Sequence, residues 1–255
     1  VQYYHKVLTP DEAGRQTRSA FLRWRGMLHE LYAGENIYVG RQEYPNPPIM
    51  AILLWPFAAL PPLTGALLWL YVKAALALLA IRWCLGLMAP PPLSLAGQIV
   101  GVAIALPALI GDLTHNNVNI FILFLLAGSL ESLRRQWDTA AGALLSLAIA
   151  CKLTPLLFVP YFLWKRSWRI LLATAAGLIV WWFLVPSAIF GWERNTQLLA
   201  DWYRLMIERP LLKGEVTSEH PNQSLVGWTY RLLTDSPSFI RYQAAEEGDI
   251  PVPAA

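Results

Sequence analysis

The residues best equipped for chemistry lie where polar side chains interrupt apolar sequence. Lys152-Leu153-Thr154-Pro155 sits in the middle of the apolar run 140–164. Arg134 and Arg135 precede that run, and Lys165, Arg166 and Arg169 follow it. Positive clusters in short loops stay on the cytoplasmic face of a membrane. With both clusters on one face, the run between them is a hairpin of two short arms or a broken helix, its apex near Lys152 to Pro155. A lysine at the centre of a membrane segment costs about 2.5–3.5 kcal/mol, so it faces a protein interior or a wet cavity. Pro155 removes a backbone donor where the helix must break. The alternative role for Lys152 is structural, pinning the break by pairing with a carbonyl or carboxylate.

A second stretch, Asp112-Leu113-Thr114-His115-Asn116-Asn117-Val118-Asn119, closes the short apolar segment 97–113. Its amide and imidazole groups suit sugar hydroxyls or phosphate oxygens, although a solvated loop has the same composition. A third, His220-Pro221-Asn222-Gln223-Ser224-Leu225 with Arg231 after it, lies in a polar tract. No carboxylate pair stands at metal-ligand spacing near these stretches, so neither a metal nor another cofactor is expected. Tyr44-Pro45-Asn46-Pro47-Pro48 is rigid and extended, a structural feature more than a contact.

The elements that position these groups are those of an all-α polytopic membrane protein. Hydrophobic residues make up 56% of the chain and charged residues 15%, against roughly 25% charged in a soluble domain. Mean hydropathy is +0.40. The net charge of +3 belongs to membrane-flanking loops, and no basic run points to nucleic acid. Cys84 and Cys151 have no spaced partners and read as core filler. Residues 1–47 form a polar, aromatic extracytoplasmic loop, 48–190 a transmembrane helical domain, and 191–255 a second extracytoplasmic segment. The polar start without an initiator methionine leads to the expectation that residues are missing upstream.

Within the domain, 49–60 is too short for a span of about 20 residues, whereas 63–85 is long enough and carries Lys73. Arg82 can snorkel to the cytoplasmic interface. Residues 97–113, 118–133 and 168–190 supply further spans. Phe21, Trp24, Leu28, Leu31 and Tyr32 recur at helical spacing, with Arg15, Arg18, Arg23 and Arg25 in or before that helix and Gly34 to end it. Such a helix either lies in the lipid headgroups or packs on its own domain. With the basic clusters inside, both polar tracts, Asp112 to Asn119 and Lys152 share the outer face. One polar cavity walled by helices follows, in the cytoplasmic (inner) membrane and open outward.

The order of these motifs resembles glycosyltransferase family 87. Leu31-Tyr32-Ala33-Gly34-Glu35-Asn36-Ile37-Tyr38 comes first, then Tyr44 to Pro48, Asn117-Val118-Asn119, Lys152 to Pro155, and Asn222-Gln223-Ser224-Leu225 with Arg231. The likeness covers about residues 20 to 240 and implies truncation of the chain at the carboxyl end as well. It implies a GT-C-like helical bundle with short broken spans and extracytoplasmic loops. It also implies transfer of a sugar, mannose first, from a polyprenyl-phosphate donor to a lipid or glycan acceptor amid membrane lipids. The resemblance places Lys152 at the donor phosphate with His115, Arg15 and Arg25 as auxiliaries. Asn117, Asn119, Asn222 and Gln223 would bond sugar hydroxyls or phosphate oxygens.

Two departures stand out. The family usually has Gln where this chain has Asn117. Members also carry an aspartate just ahead of the residue matching Phe21, as general base, and here the position is Ala20. Asp11 is the expected substitute, with His220 the other catalytic candidate. A different class also fits Ala20 and the short length: a non-catalytic subunit derived from such an enzyme, acting as a scaffold in a larger membrane complex.

Overall fold

The computed structural model describes residues 19–39, 44–88, 93–214 and 225–234. Asp11, Arg15, His220, Asn222 and Gln223 lie outside them. Every regular element among the described residues is helical.

Helix α1 (Ala20–Ala33) begins where the Ser19 hydroxyl accepts from Leu22 N and ends at Gly34, whose φ of 111° needs a residue without Cβ. Phe21, Trp24, Leu28 and Leu31 are buried. That apolar stripe is spent on the protein's own domain, which decides between the two placements left open by the sequence. Helix α2 (Pro48–Ala58) is about 16 Å long by its rise, too short to cross, and Pro61 and Pro62 prevent its continuation. Its carboxyl end is closed by α1: His29 Nε2 donates to Ala58 O at 3.0 Å and Arg25 to Leu60 O at 3.1 Å. Tyr32 stacks on Trp55 at 3.9 Å.

Three apolar helical stretches are long enough to cross a bilayer: α3 (Pro62–Gly86), α4 (Leu95–His115) and residues 168–190. Leu95, Ile99, Val100 and Ile104 of α4 are exposed, as a lipid-facing side requires. The central helices are shorter. Helix α5 (Asn119–Arg134) and helix α6 (Asp138–Cys151) pack on each other, and α6 also packs against α8 (Trp168–Ile179). A Cβ on Gly142 would lie 2.5 Å from Ile170 O, so α6 and α8 meet backbone to backbone. Ser129 Oγ donates to Ala141 O at 2.8 Å, and Thr174 Oγ1 to Gly142 O at 3.3 Å. Small residues and side-chain hydroxyls are what hold membrane helices together where apolar burial gives no preference over lipid.

The run 140–164 does break. Helix α6 stops at Cys151, Lys152 is extended, Thr154–Leu157 makes one 3₁₀ turn, and α7 (Phe158–Trp164) follows. Phe162 returns to the core cluster of Ala141, Leu145 and Ile149, so the second arm folds back along the first.

A π-helical segment, Val180–Leu184, joins α8 to α9 (Val185–Phe190). Pro186 has no N–H to offer the Trp182 carbonyl four residues before it. Asn195, fully buried on α10 (Trp192–Tyr203), donates Nδ2 to that carbonyl at 2.9 Å. Helix α10 also grips the first loop: Asp201 accepts from Asn36 at 2.8 Å, and Trp202 Nε1 donates to Pro45 O at 3.2 Å. Arg194 bonds the carbonyls of Leu31 and Glu35. The described residues up to Tyr203 form one compact unit and those from Arg204 another. In the second, a π segment over Arg204–Leu212 and helix α11 (Leu225–Leu233) are described.

Candidate functional site

Asn116 at the end of α4 adopts the left-handed region with φ 52°, which asparagine tolerates. The polar octapeptide thus divides between the last turn of α4 and the turn that follows it. Asn116 goes inward, fully buried, and donates to Ala66 O of α3 at 3.1 Å. Asp112 also faces inward. Its Oδ1 accepts from Asn119 N at 3.3 Å and its Oδ2 from Ile120 N at 3.4 Å, so it caps the amino end of α5. Asn117 Oδ1 accepts from Val118 N at 2.7 Å, and Thr114 donates to carbonyls of its own helix. His115 is exposed.

The Asn119 side chain is exposed and meets the break in α6: its Oδ1 accepts from Lys152 Nζ. Lys152 is half-buried, and no carboxylate among the described residues lies within ion-pair distance of it. Behind this pair, Lys73 Nζ donates to Asp112 O at 2.9 Å and to Asp112 Oδ2 at 3.2 Å. Lys73 is wholly buried. The described cluster is therefore Lys152 and Asn119 at the surface, with Asp112 and Lys73 beneath.

Such a cluster suits an anion. An ammonium has three N–H donors, and one held by a single neutral amide has donors to spare for a ligand. Asp112 is badly placed to act as a base, since both its oxygens already accept hydrogen bonds, from Lys73 and from the Asn119 and Ile120 backbone. Arg25 is directed instead to Leu60 O at the α1–α2 junction. Among the described residues no group of three His, Cys, Asp or Glu side chains is placed to hold a metal ion.

Sequence reasoning singled out Lys152 and Asn119 but missed their connection to Lys73. The signal was present in the cost of a lysine inside a span, with Asp112 as a carboxylate at an apolar boundary.

Tyr38 and Tyr44 belong to the loop that α10 grips. The Tyr38 hydroxyl donates to Asn46 O at 2.9 Å, and Tyr44 N to Ile37 O at 3.0 Å. Burial holds both phenols protonated well beyond the ordinary tyrosine range. The Tyr44 hydroxyl and Asn46 Nδ2 are buried without a hydrogen-bond partner among the described residues.

A bundle of helices with three bilayer-length apolar stretches is an integral membrane protein. More particularly, residues 44–240 match glycosyltransferase family 87, and the chain belongs to that family. It is 28% identical over 214 residues to the polyprenol-phosphate-mannose-dependent alpha-(1-2)-phosphatidylinositol mannoside mannosyltransferase of Mycolicibacterium smegmatis, covering 78% of this chain and 47% of that protein. It is 30% identical over 169 residues to the protein of the same name from Mycobacterium tuberculosis, covering 61% of this chain and 38% of that protein. The chain thus spans less than half the length of these relatives. No solved structure matches.

Proposed function

We propose that this chain holds the phosphate of a polyprenyl-phosphate-linked sugar at Lys152, on the extracytoplasmic face, for transfer of the sugar to a lipid or glycan acceptor. Mannose is the first candidate, because the relatives' names specify a mannose donor. The observation that carries this function is the Lys152–Asn119 pair at the break in α6. An ammonium without a carboxylate partner is suited to the negative charge of a departing phosphate.

The acceptor oxygen would attack the anomeric carbon as the bond from that carbon to the phosphate oxygen breaks. The electron pair leaves on the phosphate, beside Lys152, and the configuration inverts. A carboxylate takes the acceptor's proton, with Asp11 the first candidate. Asn119, Asn117, Asn222 and Gln223 would hydrogen-bond the sugar or phosphate, and Arg15, His115 and His220 complete the polar set. An apolar recess lined by Leu130 and by Leu157, Phe158 and Tyr161, the last three just past Lys152 in sequence, suits a hydrocarbon tail.

Membranes containing the full chain are assayed for transfer of radiolabelled mannose from polyprenyl phosphate mannose to lipid acceptors. Loss of transfer in Lys152→Ala with folded protein supports the phosphate role, and loss in Asp11→Ala supports the base. A second function, that of a non-catalytic scaffold in a larger membrane complex, is favoured by Ala20, which is buried at the first turn of α1 where the family resemblance calls for an aspartate. Absence of transfer with every lipid-linked sugar, alongside stable co-purifying membrane proteins, would decide for the scaffold.

A further inference from the structure

We propose that Lys73 acts as a positioning residue that sequesters the Asp112 carboxylate, leaving Lys152 without a carboxylate partner among the described residues. This rests on the phosphate role given above to Lys152.

The charge arrangement is unusual: two lysines share the neighbourhood of a single carboxylate. Asp112 is one short link from Lys152, because it holds the Asn119 backbone N–H at 3.3 Å while the Asn119 side chain accepts from Lys152. Lys73 takes the carboxylate, with an ion pair of 3.2 Å and a second bond of 2.9 Å to the Asp112 carbonyl. The sum over Lys73, Asp112 and Lys152 is one positive charge, and it resides on the accessible lysine.

A merely structural role does not account well for Lys73. Replacing a buried ion pair with apolar residues is often neutral or stabilising, so the pair itself adds little to the fold. Asn116 already ties the same end of α4 to α3 through Ala66 O. Removing Lys73 alone, by contrast, leaves a buried carboxylate seeking a cation, and Lys152, linked to it through Asn119, is placed to satisfy it. Lys152 would then meet an incoming phosphate already neutralised.

The test uses the full chain in membranes with Lys73→Met, Lys73→Arg, Asp112→Asn and the double variant Lys73→Met/Asp112→Asn. One readout is the KM for polyprenyl phosphate mannose beside the KM for acceptor. The other is the rate at which an amine-reactive reagent labels Lys152, followed by mass spectrometry, which needs no transfer activity. In Lys73→Met the donor KM rises about tenfold with the acceptor KM unmoved, and Lys152 labelling slows. Lys73→Arg retains the pair and both native values. The double variant restores labelling and donor KM to within about threefold of native, a non-additive result.

A double variant no better than Lys73→Met, or unchanged labelling in folded Lys73→Met, overturns the proposal and leaves Lys73 a helix tether. If Lys73→Met does not fold, Asp112→Asn decides, since slower Lys152 labelling in it is incompatible with sequestration. Should native protein transfer no sugar, the enzymatic function fails, while the labelling pattern still accepts or rejects the role of Lys73.

Discussion

Asn119→Asp isolates the charge of the Lys152 site. It replaces one side-chain nitrogen by oxygen and keeps the Oδ1 that accepts from Lys152. The site's one net positive charge falls to zero. A hydrogen bond to a charged group is worth about 1.5–3 kcal/mol, and about 1.4 kcal/mol is tenfold in affinity. Because Asn119 is exposed and solvent screens exposed pairs, the low end applies. Donor affinity should drop about tenfold. Folding should survive: an acidic residue in the first turn of α5 is favoured by the helix dipole by about 0.3–1 kcal/mol, which offsets repulsion from Asp112 below it. Asn119→Leu, which removes the acceptor but adds no charge, should weaken the donor less. The assay is equilibrium binding of polyprenyl phosphate mannose to solubilised protein at several salt concentrations, with thermal unfolding as the check on fold. Unchanged or tighter binding in folded Asn119→Asp would refute an anion site at Lys152.

The other predictions concern the frame around that site. Gly142→Ala should destabilise by about 1–3 kcal/mol, because its Cβ would meet Ile170 O at 2.5 Å and Ala173 Cβ at 2.6 Å. Gly26→Ala, with nothing within 4 Å, should be neutral or stabilising by up to about 1 kcal/mol, and thermal unfolding in detergent compares the two. For Tyr38 and Tyr44 the folded state retains protons that the unfolded chain releases near the ordinary phenol value. Their contribution is therefore full below about pH 10 and declines as pH rises above it. A spectroscopic alkaline titration should show these phenols ionising only with unfolding, and early ionisation of both would contradict their burial.

The break at Lys152 was legible because sequence chemistry and membrane topology agree there: a lysine and a proline interrupt an apolar run flanked by basic clusters. The end of α1 was legible from Gly34, and its inner face from helical spacing. The sorting of Asp112 to Asn119 was not. Composition makes those polar residues equivalent, whereas Asp112 faces inward from α4 on the side of buried Leu109, and Asn116 is buried in the left-handed turn that follows while His115 stays exposed. Lys73 and Asp112 are 39 residues apart and Asn119 and Lys152 are 33 apart. No local periodicity encodes either meeting. Residues 192–203 read as part of an outer polar tract, yet they lie in the same compact unit as the bundle. Their anchoring side chains are Arg194, Asn195, Asp201 and Trp202, whose polar atoms conceal the buried role from a hydropathy pattern.

A break in a helix at membrane depth has its own cost, since each unpaired backbone group in hydrocarbon costs several kcal/mol. Two such groups adjoin the site, and side chains satisfy both in series. Near the end of α6, Ala150 O accepts from Trp182 Nε1 at 3.3 Å. The Trp182 carbonyl, which Pro186 cannot serve, accepts from Asn195 on α10. The segment just before Lys152 is thus fixed by α10, the helix that also grips the Tyr38–Tyr44 loop through Asp201 and Trp202. Under the proposed function a fixed break would hold the lysine in place for its ligand, with Asn119 accepting from the ammonium on one side and Trp182 holding the backbone on the other. Loosening Asn195 should therefore weaken the donor site without touching any residue that meets the donor, because the freed carbonyl of Trp182 would draw the indole away from Ala150.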